Sequence, residues 1–310
     1  MFPTFEEPLI LSMTLNTYCG LNCSFCPGNI YKNKMNEIIF NKIVRYIKSN
    51  NNLTVAISGG EPLLDERLNH IISMCKEKKI RVSIDTNYSI PLGEQSNAIL
   101  NCGQIRVKLL STISGKHDSL VGVKGHYQKI NQFMNWLDND FKHSKVLLFP
   151  IMNSNLCEIE RIAEFAMNRG FYCNFFTYPR GFSKFAALNK KDYFNAIKKV
   201  GNIYKFYPKR IFLDFPLAGL NDKSLKNLCP AIFISSHIDV NGYLRPCKYS
   251  SMKIGSLKDY SLCDLWDMQK REIQRLNSYC SSCNQYTYCG GGCLVNKADC
   301  GIDYYCPKLR

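Results

Sequence analysis

The chain has 310 residues, 40 Lys and Arg against 25 Asp and Glu, a formal net charge of +15, and 16 cysteines. That length buries a full core in one large domain, or one domain with an appendage, and excludes a disulfide-stapled miniprotein. No basic segment opens the chain and its longest apolar run, 146–152, is too short for a bilayer, which excludes a signal peptide and a membrane span. So many thiols without a secretory signal point to metal or redox chemistry in a reducing, cytoplasmic compartment. Part of the positive charge sits in the Lys-, Asn- and Ile-rich text of residues 29–52 and reads as compositional bias.

Residues 9–16 read as a buried strand. A helix over 36–49 then places Ile39, Ile43, Tyr46 and Ile47 on one face. A second strand covers 53–58, and a helix over 64–75 carries Leu64, Leu68, Ile71, Ile72 and Cys75 as its apolar stripe. Strand 80–86, a short helix near 93–101, strand 105–110 and helix 127–138 follow, the last with Tyr127, Ile130, Phe133, Met134 and Leu137 on its core face. Strand 145–151, helix 156–169, strand 171–177 and helix 190–206 complete the alternation. Strands alternating with helices of this length imply right-handed βαβ units and a parallel sheet. The fold class is α/β, a partial TIM-like (β/α)6 barrel, two units short of closure. Near residue 215 the texture changes. Residues 216–310 hold two short strands (within 232–240 and 243–249) flanking Asn241-Gly242, a hairpin signal, then one helix over 260–277 and nine cysteines. The expected division is 1–215 for the barrel and 216–310 for a small, loop-rich, cysteine-rich module that metal holds together.

The first strand runs into Cys19-Gly-Leu-Asn-Cys23-Ser-Phe-Cys26, a CX3CX2C loop. Three thiolates so spaced hold three irons of a four-iron cluster and leave the fourth open; stray thiols or part of a zinc site are the bland alternative. The second strand ends in Ser58-Gly59-Gly60-Glu61-Pro62, where glycines admit close backbone approach to a ligand and the carboxylate can take an ammonium. In the tail, Cys280-X2-Cys283-X5-Cys289-X3-Cys293 does not match the paired CX2C of a zinc ribbon.

The cysteine loop followed one βα unit later by Gly-Gly-Glu-Pro resembles the radical S-adenosylmethionine enzymes. The tail resembles their SPASM extension, with Cys229, Gly242 and Cys247 preceding the four-cysteine run and Cys306 following it. The resemblance implies a [4Fe-4S] cluster on Cys19, Cys23 and Cys26, its open iron chelated by S-adenosylmethionine, and reductive cleavage to a 5′-deoxyadenosyl radical that takes a substrate hydrogen. It places Ser58, Gly59, Gly60, Glu61 and Pro62 around the methionine amine and Phe25 against the adenine. Ser83, Asp85, Asn87, Ser111 and Asn153 fall where ribose and carboxylate contacts occur. It also implies two auxiliary [4Fe-4S] clusters. Cys280, Cys283, Cys289 and Cys306 would hold the distal one, with Cys300 competing for the last place. Cys229, Cys247 and Cys293 would hold the nearer one. Residues 230–246 contain no further cysteine, so its fourth iron is expected to be open, with His237, Asp239 or a remote cysteine as the other candidates.

Among the remaining thiols, Cys75 and Cys263 are expected in the core, while Cys102, Cys157 and Cys173 near element ends are candidate hydrogen donors to a substrate radical. His117-Asp118 resembles a family loop. Residues 184–210 hold eight basic side chains against Asp192, with Lys191, Lys198 and Lys205 on one helical face; this is a solvated face, or a landing strip for an acidic leader peptide or a flavodoxin- or ferredoxin-type donor. No aromatic-interleaved basic motif points to nucleic acid. The resemblance implies chemistry on a peptide or protein: a thioether, a carbon–carbon crosslink, an epimerised residue or an oxidised side chain. The first strand starts too early for a leader-binding domain before it, so a separate recognition protein is expected. Dehydrogenation or epimerisation of an aminosugar and a non-catalytic iron–sulfur protein are the rivals.

Overall fold

The computed structural model describes residues 5–26, 32–91, 95–183, 186–297 and 301–309. Six strands, β1 (Ile10–Thr14), β2 (Thr54–Ser58), β3 (Arg81–Thr86), β4 (Gln104–Lys108), β5 (Ser144–Ile151) and β6 (Tyr172–Thr177), pair in parallel in chain order. The helices between them are α1 (Glu37–Ser49), α2 (Leu68–Glu77), α3 (Ser96–Asn101), α4 (Ser114–Val121), α5 (His126–Asp140) and α6 (Ile159–Asn168), and α7 (Lys190–Phe206) follows β6. This is the α/β partial barrel expected from the periodicity.

Local chemistry explains the elements. Asn36 caps α1 by accepting from the Ile38 amide, and Ile39, Phe40, Ile43, Val44 and Ile47 recur at helical spacing to form its buried stripe. Asn189 caps α7 in the same way, accepting from the Asp192 amide. Along the strands, side chains alternate between two faces. Leu11, Met13, Val55, Ile57, Ile105 and Val107 are fully covered, in one core with the helices. The opposite face carries Ser12, Ser58, Asp85, Arg106 and Lys108 and lines a cavity. A closed barrel fills that interior with branched apolar side chains. Here polar groups keep it open.

The sheet also extends beyond six strands. β7 (Ile211–Asp214) adds in parallel to β6, and β8 (Ser235–Ile238) adds in parallel to β1 on the other side. β9 (Tyr243–Arg245) folds back on β8 through Asn241-Gly242, with Gly242 at φ +86°, and β10 (Gly255–Ser256) completes the ten-stranded order β10-β9-β8-β1-β2-β3-β4-β5-β6-β7. The hairpin thus forms where the turn residues place it, but its first strand joins the barrel sheet. Short helices α8 (Ala218–Asn221) and α9 (Pro230–Phe233), the long α10 (Leu262–Ser281) and α11 (Tyr286–Cys289) carry the rest. A Ser261/Asp264 capping box starts α10. The chain end packs on α7: Tyr305 stacks on Tyr193 with ring centroids 4.0 Å apart and donates its hydroxyl to the Leu188 carbonyl at 2.6 Å.

Two expectations are corrected. The second helix begins at Leu68, not Leu64. Pro62 starts a short 3-10 turn, Leu63 takes the buried place, Leu64 is 43% exposed, and a buried Arg67–Asp65 ion pair at 2.8 Å closes the turn before the helix. Cys263 is exposed at the start of α10 with its thiol 3.7 Å from the Glu7 carboxylate, because the helix turns Leu262, Leu265 and Trp266 inward instead; Cys75 is in the core as expected.

Candidate active site

The loop after β1 is fastened at three places. The Glu61 amide donates to the Tyr18 carbonyl at 2.6 Å and the Gly60 amide to the Asn16 carbonyl at 2.9 Å. Further along, the Asn22 amide donates to the Val121 carbonyl at 2.9 Å, over Gly122 in a left-handed conformation (φ +68°). The Cys26 amide closes a tight turn onto the Cys23 carbonyl at 3.0 Å. These anchors bring Cys19, Cys23 and Cys26 to the wall of one cavity of about 320 Å³ at the C-terminal end of the strands. Phe25, Ser58, Gly59, Gly60, Asp85 and Asn87 share that wall. Burial raises the pKa of Cys19, and pushes that of Cys23 to about 12. Without a cation these thiols stay protonated, and a bound metal removes their protons.

Glu61 does not face the cavity. It is fully buried, and its carboxylate accepts from the amides of Leu63 (3.1 Å) and Asn87 (3.0 Å) and from the Thr86 hydroxyl (2.9 Å). The expectation that it takes a ligand ammonium is corrected to a positioning role, holding the end of β3 against the Gly-Gly turn. Pro62 is likewise buried, at the start of the 3-10 turn. Asn87, so placed, donates its carboxamide to Cys19 Sγ at 3.3 Å and to the Gly60 carbonyl at 3.0 Å. Ser83 lies deeper on β3, and Ser111 is spent on Glu158 at 2.7 Å. Asn153 is exposed, while its neighbour Asn155 is the buried one, bonded to Leu110, Pro150 and Met152 backbone. None of Ser83, Ser111 and Asn153 lines the cavity.

The candidate hydrogen donors fall away from it too. Cys102 is buried at the opposite end of β4, its thiol on the Gln104 carbonyl at 3.3 Å; Cys173 is buried in the core; Cys157 is exposed beside Lys116.

The tail cysteines form two groups. Cys229, Cys247 and Cys293 line a cavity of about 290 Å³ that shares Ser58, Asp85, Lys108, Lys248 and Tyr249 with the first. Cys280, Cys283, Cys289 and Cys306 line a separate one of about 300 Å³. Cys300 lies outside the described residues. Two lysines reach the second group, Lys308 Nζ at 3.2 Å from Cys283 Sγ and Lys297 Nζ at 3.8 Å from Cys280 Sγ. His237 and Asp239 are otherwise engaged. Both His237 ring nitrogens bond to hydroxyls, Ser12 at 2.9 Å and Thr14 at 3.2 Å, and Asp239 pairs with Arg245 at 2.7 Å. Among the described residues no three His, Cys, Asp or Glu side chains lie close enough to hold a single metal ion.

The sequence reading missed Arg106 and Lys108 on the inner face of β4, Lys248 and Tyr249 beside Cys247, and Tyr178 after β6. The alternation in Gln-Ile-Arg-Val-Lys was the available signal: charged residues at every second place of a strand whose other positions are apolar. It also missed a histidine pair. His117 accepts from the Leu110 amide at 3.3 Å, and its Nε2 lies 2.9 Å from Nδ1 of His126, which lines the first cavity. Burial holds both imidazoles down to about 4. Unfolding returns them to their ordinary range near 6.5, so the unfolded chain binds protons that the folded one refuses. The pair's contribution to stability is therefore fully present above about pH 6.5 and is lost as the pH falls from there towards 4. Urea midpoints measured across that window are expected to drop, with a shallower slope in His117→Gln; an unchanged slope would remove the pair from the account.

Of the basic run, Lys199 pairs with Glu160 at 2.8 Å, Lys205 reaches Asp222 at 3.4 Å, and Lys190 donates to the Cys306 carbonyl at 2.9 Å. Lys191 and Lys198 are exposed, and Lys184 lies outside the described residues.

Comparison with known proteins places these features. The family model described as "Radical SAM superfamily" matches residues 13–166, and the one described as SPASM, "Iron-sulfur cluster-binding domain", matches 229–289. The chain is 18% identical over 267 residues to the sporulation killing factor maturation protein SkfB of Bacillus subtilis, covering 83% of this chain and 64% of that protein. It is 22% identical over 309 residues to the antilisterial bacteriocin subtilosin biosynthesis protein AlbA of the same organism, covering 93% and 67%. The chain thus spans about two thirds of the length of these relatives. Streptococcus suis SuiB, solved bound to precursor peptide SuiA, superposes with a TM-score of 0.78 at 20% identity, over 98% of this chain and 77% of that one.

Proposed function

Because the chain belongs to the radical S-adenosylmethionine superfamily and carries a SPASM iron–sulfur tail, we propose that it modifies a peptide substrate by hydrogen abstraction. One observation carries this reading: the Cys19/Cys23/Cys26 cavity and the Cys229/Cys247/Cys293 cavity share a wall, so that a substrate between them meets a radical source and an auxiliary cluster together. The names of SkfB and AlbA, and the peptide bound to SuiB, support a peptide as the substrate.

The donor sets fit their groups. Cys19, Cys23 and Cys26 would hold a [4Fe-4S] cluster with one iron open for S-adenosylmethionine, which on reduction supplies the 5′-deoxyadenosyl radical. Gly59 and Gly60 keep the backbone close to the cysteine loop, Phe25 and Tyr178, with ring centroids 5.3 Å apart, form an apolar wall, and Asn87 orients Cys19. In the tail, Cys280, Cys283, Cys289 and Cys306 would complete one cluster, with Lys297 and Lys308 offsetting its charge. Cys229, Cys247 and Cys293 would leave the other one ligand short. Barrel residues 1–215 and cluster-binding residues 216–310 are the proposed units. No helix among the described residues is long and apolar enough to cross a membrane, and a reducing cytoplasm is the proposed setting for so many free thiols.

Asn87→Ala removes an N–H···S bond to one cluster ligand. Hydrogen bonds to cluster sulfurs raise the reduction potential, so the variant's midpoint, read by EPR-monitored titration, is expected to be more negative than the wild type's; an equal midpoint would detach Asn87 from the cluster. The function itself is tested by anaerobic turnover with dithionite. The wild-type protein is expected to release 5′-deoxyadenosine and to change the mass of a candidate peptide. A fully iron-loaded protein that releases none would overturn the reading.

A further inference from the structure

Strands β1 and β8 lie side by side with Ser12 opposite His237. Ser12 and Thr14, two places apart on β1, face the same side of the sheet. The buried His237 ring bonds to both: Nδ1 lies 2.9 Å from the Ser12 hydroxyl and Nε2 3.2 Å from the Thr14 hydroxyl. Those hydroxyls open onto different spaces. Thr14 lines the cavity of Cys19, Cys23 and Cys26, Ser12 lines that of Cys229, Cys247 and Cys293, and His237 lines neither. An unbroken hydroxyl–imidazole–hydroxyl chain therefore joins the two cavities. Packing alone does not call for it, since the inner positions of a closed barrel carry branched apolar side chains. The chain also has a direction. Ser12 has one hydroxyl hydrogen, and the Ser236 carbonyl, which can only accept, takes it at 3.1 Å. Nδ1 then donates to Ser12 Oγ and the bare Nε2 accepts from Thr14, the assignment that makes all three bonds. The accepting nitrogen thus faces the proposed radical centre. Burial, with the Lys248 and Arg245 charges, holds the imidazole down to about 3, so it stays neutral. A ring that resists a second proton still passes one on, taking it at Nε2 as it releases another from Nδ1.

We infer that Thr14, His237 and Ser12 relay a proton of the peptide substrate out of the radical-centre cavity and into the auxiliary one. The inference rests on the peptide-modifying role proposed above and narrows it to net oxidations. In such a reaction the peptide loses two hydrogens. One leaves as an atom, its C–H bond broken and a C–H bond of 5′-deoxyadenosine formed. The other leaves as a proton, and the remaining electron passes to a one-electron acceptor of the iron–sulfur class. Thr14 Oγ1 takes that proton as it gives its own to Nε2. The Nδ1 proton moves to Ser12 Oγ, whose own proton turns from the Ser236 carbonyl into the second cavity and leaves there. The reverse shift, with water in the first cavity once product has left, restores the starting tautomer.

The test uses the reconstituted, S-adenosylmethionine-loaded protein, dithionite and a pooled library of short synthetic peptides, with products read by mass spectrometry. The wild type is expected to give a peptide two hydrogens lighter, in step with 5′-deoxyadenosine. Thr14→Val keeps the shape without the hydroxyl, and His237→Gln keeps hydrogen-bonding groups that cannot hand a proton across. Both are expected to load iron and release 5′-deoxyadenosine, while peptide product per 5′-deoxyadenosine falls at least tenfold. Thr14→Ser, which restores the hydroxyl, is expected to recover it. A purely structural role would lower product and 5′-deoxyadenosine by the same factor. That result overturns the inference, as does an unchanged ratio in both variants, or a wild-type product of unchanged mass that takes up solvent deuterium. If Thr14→Val or His237→Gln fails to load iron, Ser12→Ala takes its place under the same criteria. A second readout needs no peptide. Nitrogen-15 NMR of the histidine-labelled holoprotein, with the His237 signals identified by their loss in His237→Gln, is expected to show the ring proton on Nδ1; a proton on Nε2 overturns the relay. A wild type that releases no 5′-deoxyadenosine, or changes no peptide, counts against the proposed function, whereas a peptide changed alike by wild type and variants counts against the relay alone.

Discussion

Cys26→Ala is expected to stop reductive cleavage of S-adenosylmethionine, with 5′-deoxyadenosine falling to background and iron content falling by about four per chain. Cys26 sits exposed at the lip of the cavity and contributes little to the core. Exposed substitutions away from special features change stability by only about 0.5 kcal/mol. The loss would therefore report a missing cluster ligand and not a collapsed fold. Cys263→Ala, another exposed thiol removed far from the cavity, is the matched control and is expected to keep full iron and full cleavage. Cleavage that survives in Cys26→Ala would end the assignment of this loop.

The second large effect belongs to Gly60. A methyl group there would run into the Tyr18 carbonyl and come within 2.7 Å of the Thr17 carbonyl carbon, both in the backbone that leads to Cys19. Neither neighbour is a flexible side chain, so the cysteine loop itself has to shift, and with it the bonds from Gly60 and Glu61 amides that fasten it. Overpacking of this kind costs about 1–3 kcal/mol, and each 1.4 kcal/mol is about tenfold in an equilibrium. Gly60→Ala is expected to weaken S-adenosylmethionine binding roughly ten- to a hundredfold, measured anaerobically by calorimetry. Gly115→Ala, where an added Cβ meets nothing within 4 Å, should bind normally. Wild-type affinity in Gly60→Ala would mean that the loop tolerates displacement and that the Gly-Gly turn does not set the site.

Both expectations start from features legible in the chain. The CX3CX2C loop and the Gly-Gly-Glu-Pro turn are local spacings, and the βα alternation that places them at strand ends is a period readable within short windows. The hairpin at Asn241-Gly242 was equally local. What the sequence hid depended on distant partners. Glu61 looks like a ligand group until Thr86 and Asn87, 25 and 26 residues on, are seen to surround it. Nothing in Ser-Ser-His-Ile announces that β8 will pair with β1, more than 220 residues earlier. Strand β7 has only four residues of alternating burial after a lysine-rich helix, too short for its period to show. Cys102, Cys157 and Cys173 were placed by their closeness to element ends, yet which end of a barrel strand a residue occupies decides whether it meets the site. The charged inner face of β4 was readable in principle, since Arg106 and Lys108 alternate with fully buried Ile105 and Val107.

The radical centre and both tail cavities are proposed to hold clusters, three in all. Iron and zinc content with Mössbauer spectroscopy of the anaerobically reconstituted wild-type chain tests this most directly. The expected result is about twelve irons per chain as [4Fe-4S] clusters and no stoichiometric zinc. About four irons, with zinc accounting for the tail cysteines, would contradict it.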